Sequence, residues 1–117
     1  MLRVAREDYP ADADGRRWMT RDAVIRWLYN EKVLGRPVPL LWPPAVSVSV
    51  RWDCEDPPTS DETEAAARWL RREGLLDEPS PIGPVRRPII TPSGTIAAVT
   101  PGGVREHVMR SDDDPAA

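Results

Sequence analysis

The sequence predicts a single small α+β domain, and two observations support this prediction. The chain has 117 residues, of which 40% are hydrophobic, enough for one modest core but not for two. Segments with helical periodicity and segments with strand-like alternation follow one another, separated by 14 prolines and 7 glycines. The predicted order is helix, strand, helix, strand, strand, helix, with the three strands in one antiparallel sheet.

A first helix is predicted to begin after Thr20 and to end at Gly35. Threonine is a common N-cap residue, Asp22 would lie in the first turn, and apolar residues then recur at helical spacing as far as Leu34. Glycine readily adopts the left-handed conformation found after helix C-termini. Residues 1–17 contain few apolar side chains, and we expect them to form a flexible N-terminal arm.

A strand is predicted at residues 46–52. Four apolar residues alternate there with polar ones: Val46, Val48, Val50 and Trp52. Strict alternation is typical of a strand that buries one face and exposes the other. We therefore expect this segment to be the first strand of the sheet.

A second helix is expected to begin after Thr59 or Ser60 and to end at Gly74. Glu62 and Glu64 lie in its first turn and three arginines lie toward its end, an arrangement that suits the helix dipole. The two leucines after Gly74 can fold back onto the helix as the apolar contact of a C-cap.

A β-hairpin is predicted over residues 89–99, because β-branched residues flank the turn sequence Pro92-Ser93-Gly94. Thr100 and Pro101 then match the N-cap and first position of a third helix that ends near Arg110. Residues 111–117 are expected to be a disordered acidic tail. The folded domain is therefore predicted to span residues 18–110.

No catalytic or metal-binding constellation is visible in the sequence. Cys54 and His107 are the single cysteine and histidine, so neither a disulfide framework nor a Cys- or His-rich metal site is indicated. The acidic loop 53–56 lacks a second cluster of ligands. No segment approaches the roughly 18 apolar residues of a membrane helix. We expect a cytoplasmic protein that is not an enzyme and carries no metal or cofactor.

The charged residues are segregated along the chain, although the net charge is only −3. Six basic residues and two acidic ones lie between residues 16 and 36, whereas residues 53–64 contain six acids and no base. Only one of the 16 basic residues is a lysine. Such arginine-rich usage is typical of GC-rich genomes, such as those of actinobacteria and their phages.

Two motifs resemble the winged helix-turn-helix superfamily of small bacterial and phage regulators. The first is Trp69-Leu70-Arg71-Arg72-Glu73-Gly74-Leu75-Leu76, which is similar to the end of a recognition helix in that superfamily. The second is residues 96–99 followed by Thr100-Pro101-Gly102-Gly103, similar to the junction after the wing. The resemblance covers roughly residues 18–110, but the segment 53–60 is short where the family has a further helix.

The resemblance implies a DNA-binding transcriptional regulator encoded by a phage, mobile element or actinobacterium. In the family the recognition helix enters the major groove, the wing contacts the backbone, and dimers read paired half-sites. The implied contacts to double-stranded DNA are Arg68, Arg71 and Arg72 of the helix, Arg86, Arg87, Ser93 and Thr95 of the wing, and Arg16 and Arg17 of the arm. From the residues alone, the helix arginines could equally be solvent-facing side chains near a helix C-terminus.

A protein–protein adaptor without DNA binding is the alternative prediction. The chain has 5 tryptophans, and tryptophan is enriched among the anchors of protein interfaces. Three of them lie on predicted apolar faces and are expected in the core: Trp27, Trp52 and Trp69. Trp18 and Trp42 lie beside predicted elements, and we expect these two to be the partner-binding candidates.

Overall fold

The computed structural model describes residues 8–10, 12–37, 41, 46, 57–78 and 85–113, with side chains as far as Met109. The helices defined within these ranges are α1 (Ala13–Val33), α2 (Ser60–Arg72), α3 (Pro92–Val99) and α4 (Gly103–Asp113). Two short strands, β1 (Leu76–Asp77) and β2 (Ile89–Ile90), form an antiparallel pair. The described fold is therefore mixed α+β, as predicted, and mostly helical.

Helix α1 begins earlier than the sequence predicts. Its N-cap is Asp12, whose carboxylate accepts a backbone N–H of the first turn at 2.8 Å. Thr20 lies inside the helix and donates its hydroxyl to the Arg16 carbonyl at 2.9 Å, so its prediction as N-cap is wrong. Threonine hydroxyls satisfy either role, and the aspartate farther upstream makes the cap. Residues 13–17, predicted as flexible arm, are thus helical, while Gly35 follows the helix with a φ of 70°, as predicted.

Helix α2 confirms the prediction made from its capping residues. Thr59 is the N-cap and forms a reciprocal capping box with Glu62, in which the two backbone N–H groups each donate to the other residue's side chain. The chain leaves the helix through Gly74, which has a φ of 77°. Leu75 and Leu76 are both buried against the core, as expected for a C-cap contact.

The antiparallel strand pair joins segments that the sequence did not pair. Leu76 lies opposite Ile90 and Asp77 opposite Ile89. The predicted hairpin at 89–99 is therefore wrong, since its second half is helix α3.

The local chemistry of residues 91–94 explains this difference. Thr91 caps α3 by accepting the Gly94 N–H at 3.0 Å, and Pro92 occupies the first turn, where no intrahelical N–H bond is lost. Thr91 and Pro92 start a helix here. The apolar run that follows suits a buried helix as well as a strand.

Helix α4 confirms a helix in the last part of the domain but not its predicted cap. Thr100 ends α3 as its C-cap and donates its hydroxyl to the Ile96 carbonyl at 2.7 Å. Helix α4 starts three residues later, at Gly103, and extends to Asp113. Residues 111–113 of the predicted tail are therefore helical, and residues 114–117 lie outside the described part.

The predicted first strand is contradicted at the position that can be compared. Val46 has a helical backbone and is fully buried, whereas residues 47–52 lie outside the described residues. The Leu41 N–H donates to the Arg86 carbonyl at 2.8 Å, which places this part of the connection beside the segment leading into β2. A three-stranded sheet is not confirmed, because the sheet in the described ranges has two strands.

Helix α1 is the centre of the core and contacts the other helices and β2. The buried residues of α1 include Met19, Ala23, Val24, Ile25, Trp27 and Leu28, and Trp27 was predicted there. Small residues from α2 and α3 let these helices approach closely: Ala66, Ala67, Ala97 and Ala98. No helix among the described residues is both long and apolar enough to cross a membrane.

Asp22 places a carboxylate inside this core, with 1% of its surface exposed. The sequence suggested that Asp22 lies in the first turn of the helix, but it lies in the middle of α1. Its Oδ1 accepts the Val104 N–H at 2.8 Å and its Oδ2 accepts the Tyr9 hydroxyl, while Nη2 of Arg26 lies 4.0 Å away. Burial raises the pKa of Asp22, whereas Arg26 and the two hydrogen bonds oppose that rise. Asp22 thus caps α4 from another helix.

Removing the Asp22 carboxylate is expected to destabilise the fold. Asp22→Ala leaves the Val104 N–H and the Tyr9 hydroxyl buried without an acceptor, and we expect a loss of about 3 kcal/mol in the free energy of unfolding. Asp22→Asn keeps one acceptor oxygen for Val104 and should lose less. Urea denaturation of the three proteins tests this, and equal stability of Asp22→Ala and wild type would contradict the assigned role.

Gly103 is expected to tolerate no side chain, because a Cβ there would lie 2.3 Å from Oδ2 of Asp22. Gly103→Ala should combine this collision with the strain of a φ of 75°. Gly35→Ala is the matched control, since Gly35 has a similar φ of 70° but no atom within 4 Å of the added carbon. We expect a loss of about 1 kcal/mol for the control and a clearly larger loss for Gly103→Ala. Equal losses in urea denaturation would contradict the close contact.

Candidate nucleic-acid interface

Helix α2 has one outward face, formed by Asp61, Ala65, Arg68 and Arg72. All four residues are exposed, and their spacing of four, three and four residues places them along one side of the helix. The face runs from an acid at the N-terminus, past a small residue, to two arginines at the C-terminus. We refer to these four residues as the outward face of α2.

Glu62, in the first turn of α2, is engaged by a residue of α1. Arg16 donates to the Glu62 carboxylate through Nε at 2.5 Å and Nη2 at 2.9 Å, a two-bond pairing that links the starts of the two helices. This pairing, helped by the capping hydrogen bonds with Thr59, lowers the pKa of Glu62 to about 2. Arg16, predicted to contact DNA, also donates to the Pro57 carbonyl at 3.2 Å and therefore joins α1 to α2.

Glu64 connects α2 to the segment that leads into β2. Its Oε1 accepts the Val85 N–H at 2.8 Å and Nε of Arg68 at 3.1 Å. The ion pair with Arg68 uses its Nε atom. The two terminal nitrogens of Arg68 donate to no acceptor among the described residues. The acids Glu62 and Glu64 are thus both satisfied internally, and Asp61 is the exposed acid of this turn.

A second feature lies where α1 meets α2, and we call it the arginine–tryptophan cluster: Arg17, Trp18, Arg21, Trp69 and Arg72. The rings of Trp18 and Trp69 meet edge to face, with centroids 5.3 Å apart and planes at 85°. The guanidinium carbon of Arg21 lies 4.6 Å from the Trp18 centroid and 4.1 Å from that of Trp69. Both distances are within the range of a cation–π contact.

Positive charge is concentrated in this cluster. The pKa of Arg21 is lowered, first by partial burial and then by the neighbouring charge of Arg17, with Arg72 acting in the same direction. Asp14 forms an ion pair with Arg17 at 3.0 Å. The negative charge of Glu73 acts to raise the pKa of Arg21, whereas the positive charge of Arg72 acts to lower it. Arg17 and Arg72 therefore each lie close enough to Arg21 for their positive charges to act on it.

The cluster and the outward face of α2 share a shallow cleft of about 130 Å³ between α1 and α2. Its lining consists of Arg17, Thr20 and Arg21 from α1, and Glu62, Ala65 and Ala66 from α2. The carboxylate of Glu62 is paired with Arg16. Ala65 belongs to the outward face, so the two features form one continuous surface. Arg105 of α4 extends the positive charge, with its guanidinium carbon 5.9 Å from the Trp18 ring centroid.

The other predicted site residues are not all part of this surface. Arg71 is half-buried, and its Nη1 is buried with no hydrogen-bond partner among the described residues. Arg86 and Arg87 are exposed in the segment that leads into β2. Ser93 and Thr95 lie on α3, so their predicted place on a wing is wrong; Thr95 donates its hydroxyl to the Thr91 carbonyl at 3.1 Å.

The tryptophan predictions meet different outcomes. Trp69, expected in the core, and Trp18, expected at the surface, are both half-buried and contact each other at the edge of the core. Trp42 and Trp52 lie outside the described residues. Arg21 was not predicted as a site residue. Its spacing of three from Trp18 on one helix was the available signal, but its contact with Trp69 joins two helices distant in sequence.

No family model matches the chain, and neither a curated protein nor a solved structure shows significant similarity to it. In the part of the chain that the structure describes, no three histidine, cysteine, aspartate or glutamate side chains come together as a metal ion would require. The surface at α1 and α2 offers arginine side chains, which suit the binding of anions.

The Arg16–Glu62 pair is expected to make stability depend on pH. Because the folded-state pKa of Glu62 is lowered from 4.5 to about 2, its contribution is full above pH 4.5 and is lost as the pH falls toward 2. Glu62→Gln should therefore reduce the free energy of unfolding by about 1 kcal/mol at pH 7, and this difference should shrink in acid. Urea denaturation at pH 7, 4 and 3 measures it.

Asp61→Asn is the control, since Asp61 is an exposed acid of the same turn without an arginine partner among the described residues. It should show a smaller effect at every pH. A Glu62→Gln difference that stayed constant from pH 7 to pH 3 would contradict the role of the ionised pair.

Proposed function

We propose that this chain binds double-stranded DNA through α2 and the adjoining pair of strands, β1 and β2, as a transcriptional regulator of the winged-helix type. The observation that carries the proposal is the outward face of α2, where Arg68 and Arg72 are exposed on the helix that leads directly into β1. Arginine pairs bidentately with guanine or with phosphate, so this face has the chemistry of a recognition helix.

The dimensions of α2 allow this role. An α-helix with its side chains is about 10–12 Å across, and the major groove of B-DNA is about 12 Å wide. The 13 residues of α2 correspond to about 20 Å of helix, which would lie along the groove. Ala65 lies beside Arg68 on the outward face and adds little bulk between the helix and a groove. Arg86 and Arg87 are exposed next to β2, and arginine is a residue type that contacts phosphates.

The acidic start of α2 is compatible with a nearby polyanion because two of its carboxylates have partners. Arg16 compensates the charge of Glu62, and Glu64 is shared by Arg68 and the Val85 N–H. The acids are concentrated in residues 53–64, whereas residues 16–36 carry six basic residues and two acidic ones. A DNA backbone that approaches this surface would meet the positive electrostatic field of the local arginines and not the average charge of the whole chain.

The proposal is tested by titrating the protein into a labelled duplex of arbitrary sequence and following fluorescence anisotropy. A protein that makes four phosphate contacts shows a slope of about −3.6 when the logarithm of its affinity is plotted against the logarithm of the salt concentration. This slope corresponds to a roughly 100-fold loss of affinity between 50 and 200 mM salt. Arg68→Ala/Arg72→Ala should weaken binding at least about tenfold at constant salt. Absence of salt-sensitive binding by the wild type at micromolar concentration would overturn the proposal.

Lys32→Ala/Arg36→Ala is the matched control because it removes the same charge from the other end of α1. Lys32 lies 15 positions after Arg17 in the chain, which corresponds to about 22 Å along a helix. This variant should bind within about twofold of the wild type. An equal loss for both double variants would show that net charge, and not the outward face of α2, determines affinity.

A protein–protein adaptor is the second candidate, and one observation favours it. Val33 and Leu34 at the end of α1 are 65% and 61% exposed, and Ile89 of β2 is also exposed. Leu28, Ile89 and Ile90 line a cleft of about 280 Å³ between these elements. Exposed apolar residues beside a cleft are typical of a docking surface. Trp18, the predicted anchor, is less available, since Trp69 and Arg21 cover part of it. If the protein shows no salt-sensitive binding in the DNA titration, the adaptor becomes the favoured candidate.

A further inference from the structure

We propose that the arginine–tryptophan cluster is a binding site for the sugar–phosphate backbone of duplex DNA, with Arg21 as its central contact. This inference rests on the proposed function and adds to it a second surface, on α1, beside the outward face of α2. The site was not evident from the sequence, which places Arg21 and Trp69 far apart in the chain.

Arg21 is held so that its hydrogen-bond donors remain available. The guanidinium carbon of Arg21 lies within cation–π distance of two indole rings, and the guanidinium N–H groups of Arg21 donate no hydrogen bond among the described residues. Arg21 also has no carboxylate within ion-pair distance among the described residues. The tryptophans therefore fix an arginine in advance, which reduces the entropy lost when it binds an anion.

The surroundings of Arg21 favour an anion over a neutral ligand. Arg17 and Arg72 lie near enough to repel it, and this repulsion is relieved when a negative group binds between them. Asp14 and Glu73 compensate only part of the three positive charges. Arginine is the residue that best matches the geometry of phosphate oxygens.

The position of the cluster matches that of a backbone contact. Arg17 and Arg21 line the same cleft as Ala65, which lies on the outward face of α2. When that face enters a groove, the phosphates along the edge of the groove lie beside the helix that presents it. Arg105 of α4 prolongs the positive surface past Trp18. A double-stranded polyanion fits this surface better than a single small anion does.

The test compares salt dependence in the same anisotropy assay, using wild type, Arg21→Gln, Arg21→Lys and Arg36→Gln. Arg21→Gln removes one phosphate contact and should reduce the magnitude of the slope by about 0.9. At 100 mM salt it should weaken binding about tenfold, and by the same factor for two duplexes of unrelated sequence. Arg21→Lys should keep the slope but bind more weakly, because lysine lacks the planar set of donors that matches phosphate oxygens. Arg36→Gln should match the wild type.

Urea denaturation of each variant shows whether it is folded under the assay conditions. If Arg21→Gln is unfolded, Arg17→Gln decides the matter, since Arg17 is exposed and its loss should also reduce the slope by about 0.9. An unchanged slope in the deciding variant overturns the phosphate site; if Arg68→Ala/Arg72→Ala still loses binding, the proposed function stands. A wild type that does not bind DNA overturns both.

A competition arm separates DNA from an acidic protein as the partner. Poly-glutamate, added at the same concentration of negative charge as unlabelled duplex, should displace the labelled duplex far less effectively, because it lacks the regular spacing of phosphates. Equal displacement would show that the cluster responds to acidic charge alone and would overturn its assignment as a phosphate site.

Discussion

The carboxylate of Asp22 is the interaction on which the arrangement of the helices depends. It lies inside the core on α1 and accepts hydrogen bonds from the start of α4 and from Tyr9, so one side chain fixes two other parts of the chain. Arg21 is the next residue and therefore lies about 100° around the helix. The rotation of α1 that seats Asp22 in the core also places Arg21 against Trp18 and Trp69, which links stability to the candidate site.

Charge segregation along the sequence has a structural meaning that the net charge conceals. The basic start of α1 and the acidic start of α2 lie side by side, and Arg16 pairs with Glu62 between them. Two of the three acids of α2 therefore connect elements: Glu62 reaches α1, and Glu64 reaches the segment that leads into β2. With those carboxylates occupied, arginines dominate the surface that α1 and α2 present together, despite an overall excess of acidic residues.

The sequence predicted what short-range chemistry determines. The bounds of α2 followed from Thr59, Glu62 and Gly74, because each acts within one helical turn. Residues 96–99 were misassigned because a short apolar run fits a buried helix or a strand equally well. The capping of α4 by Asp22 and the cation–π contact of Arg21 with Trp69 could not be predicted, since both join residues brought together only by the fold.

The carboxylate of Glu64 joins two parts of the surface. The same oxygen accepts from Arg68 on the outward face and from the Val85 backbone in the segment that leads into β2. Because both bonds end on one atom, a change in the position of Arg68 alters the electrostatic environment of the hydrogen bond to Val85. The orientation of an exposed arginine on α2 and the position of the chain before β2 are therefore coupled through a single oxygen.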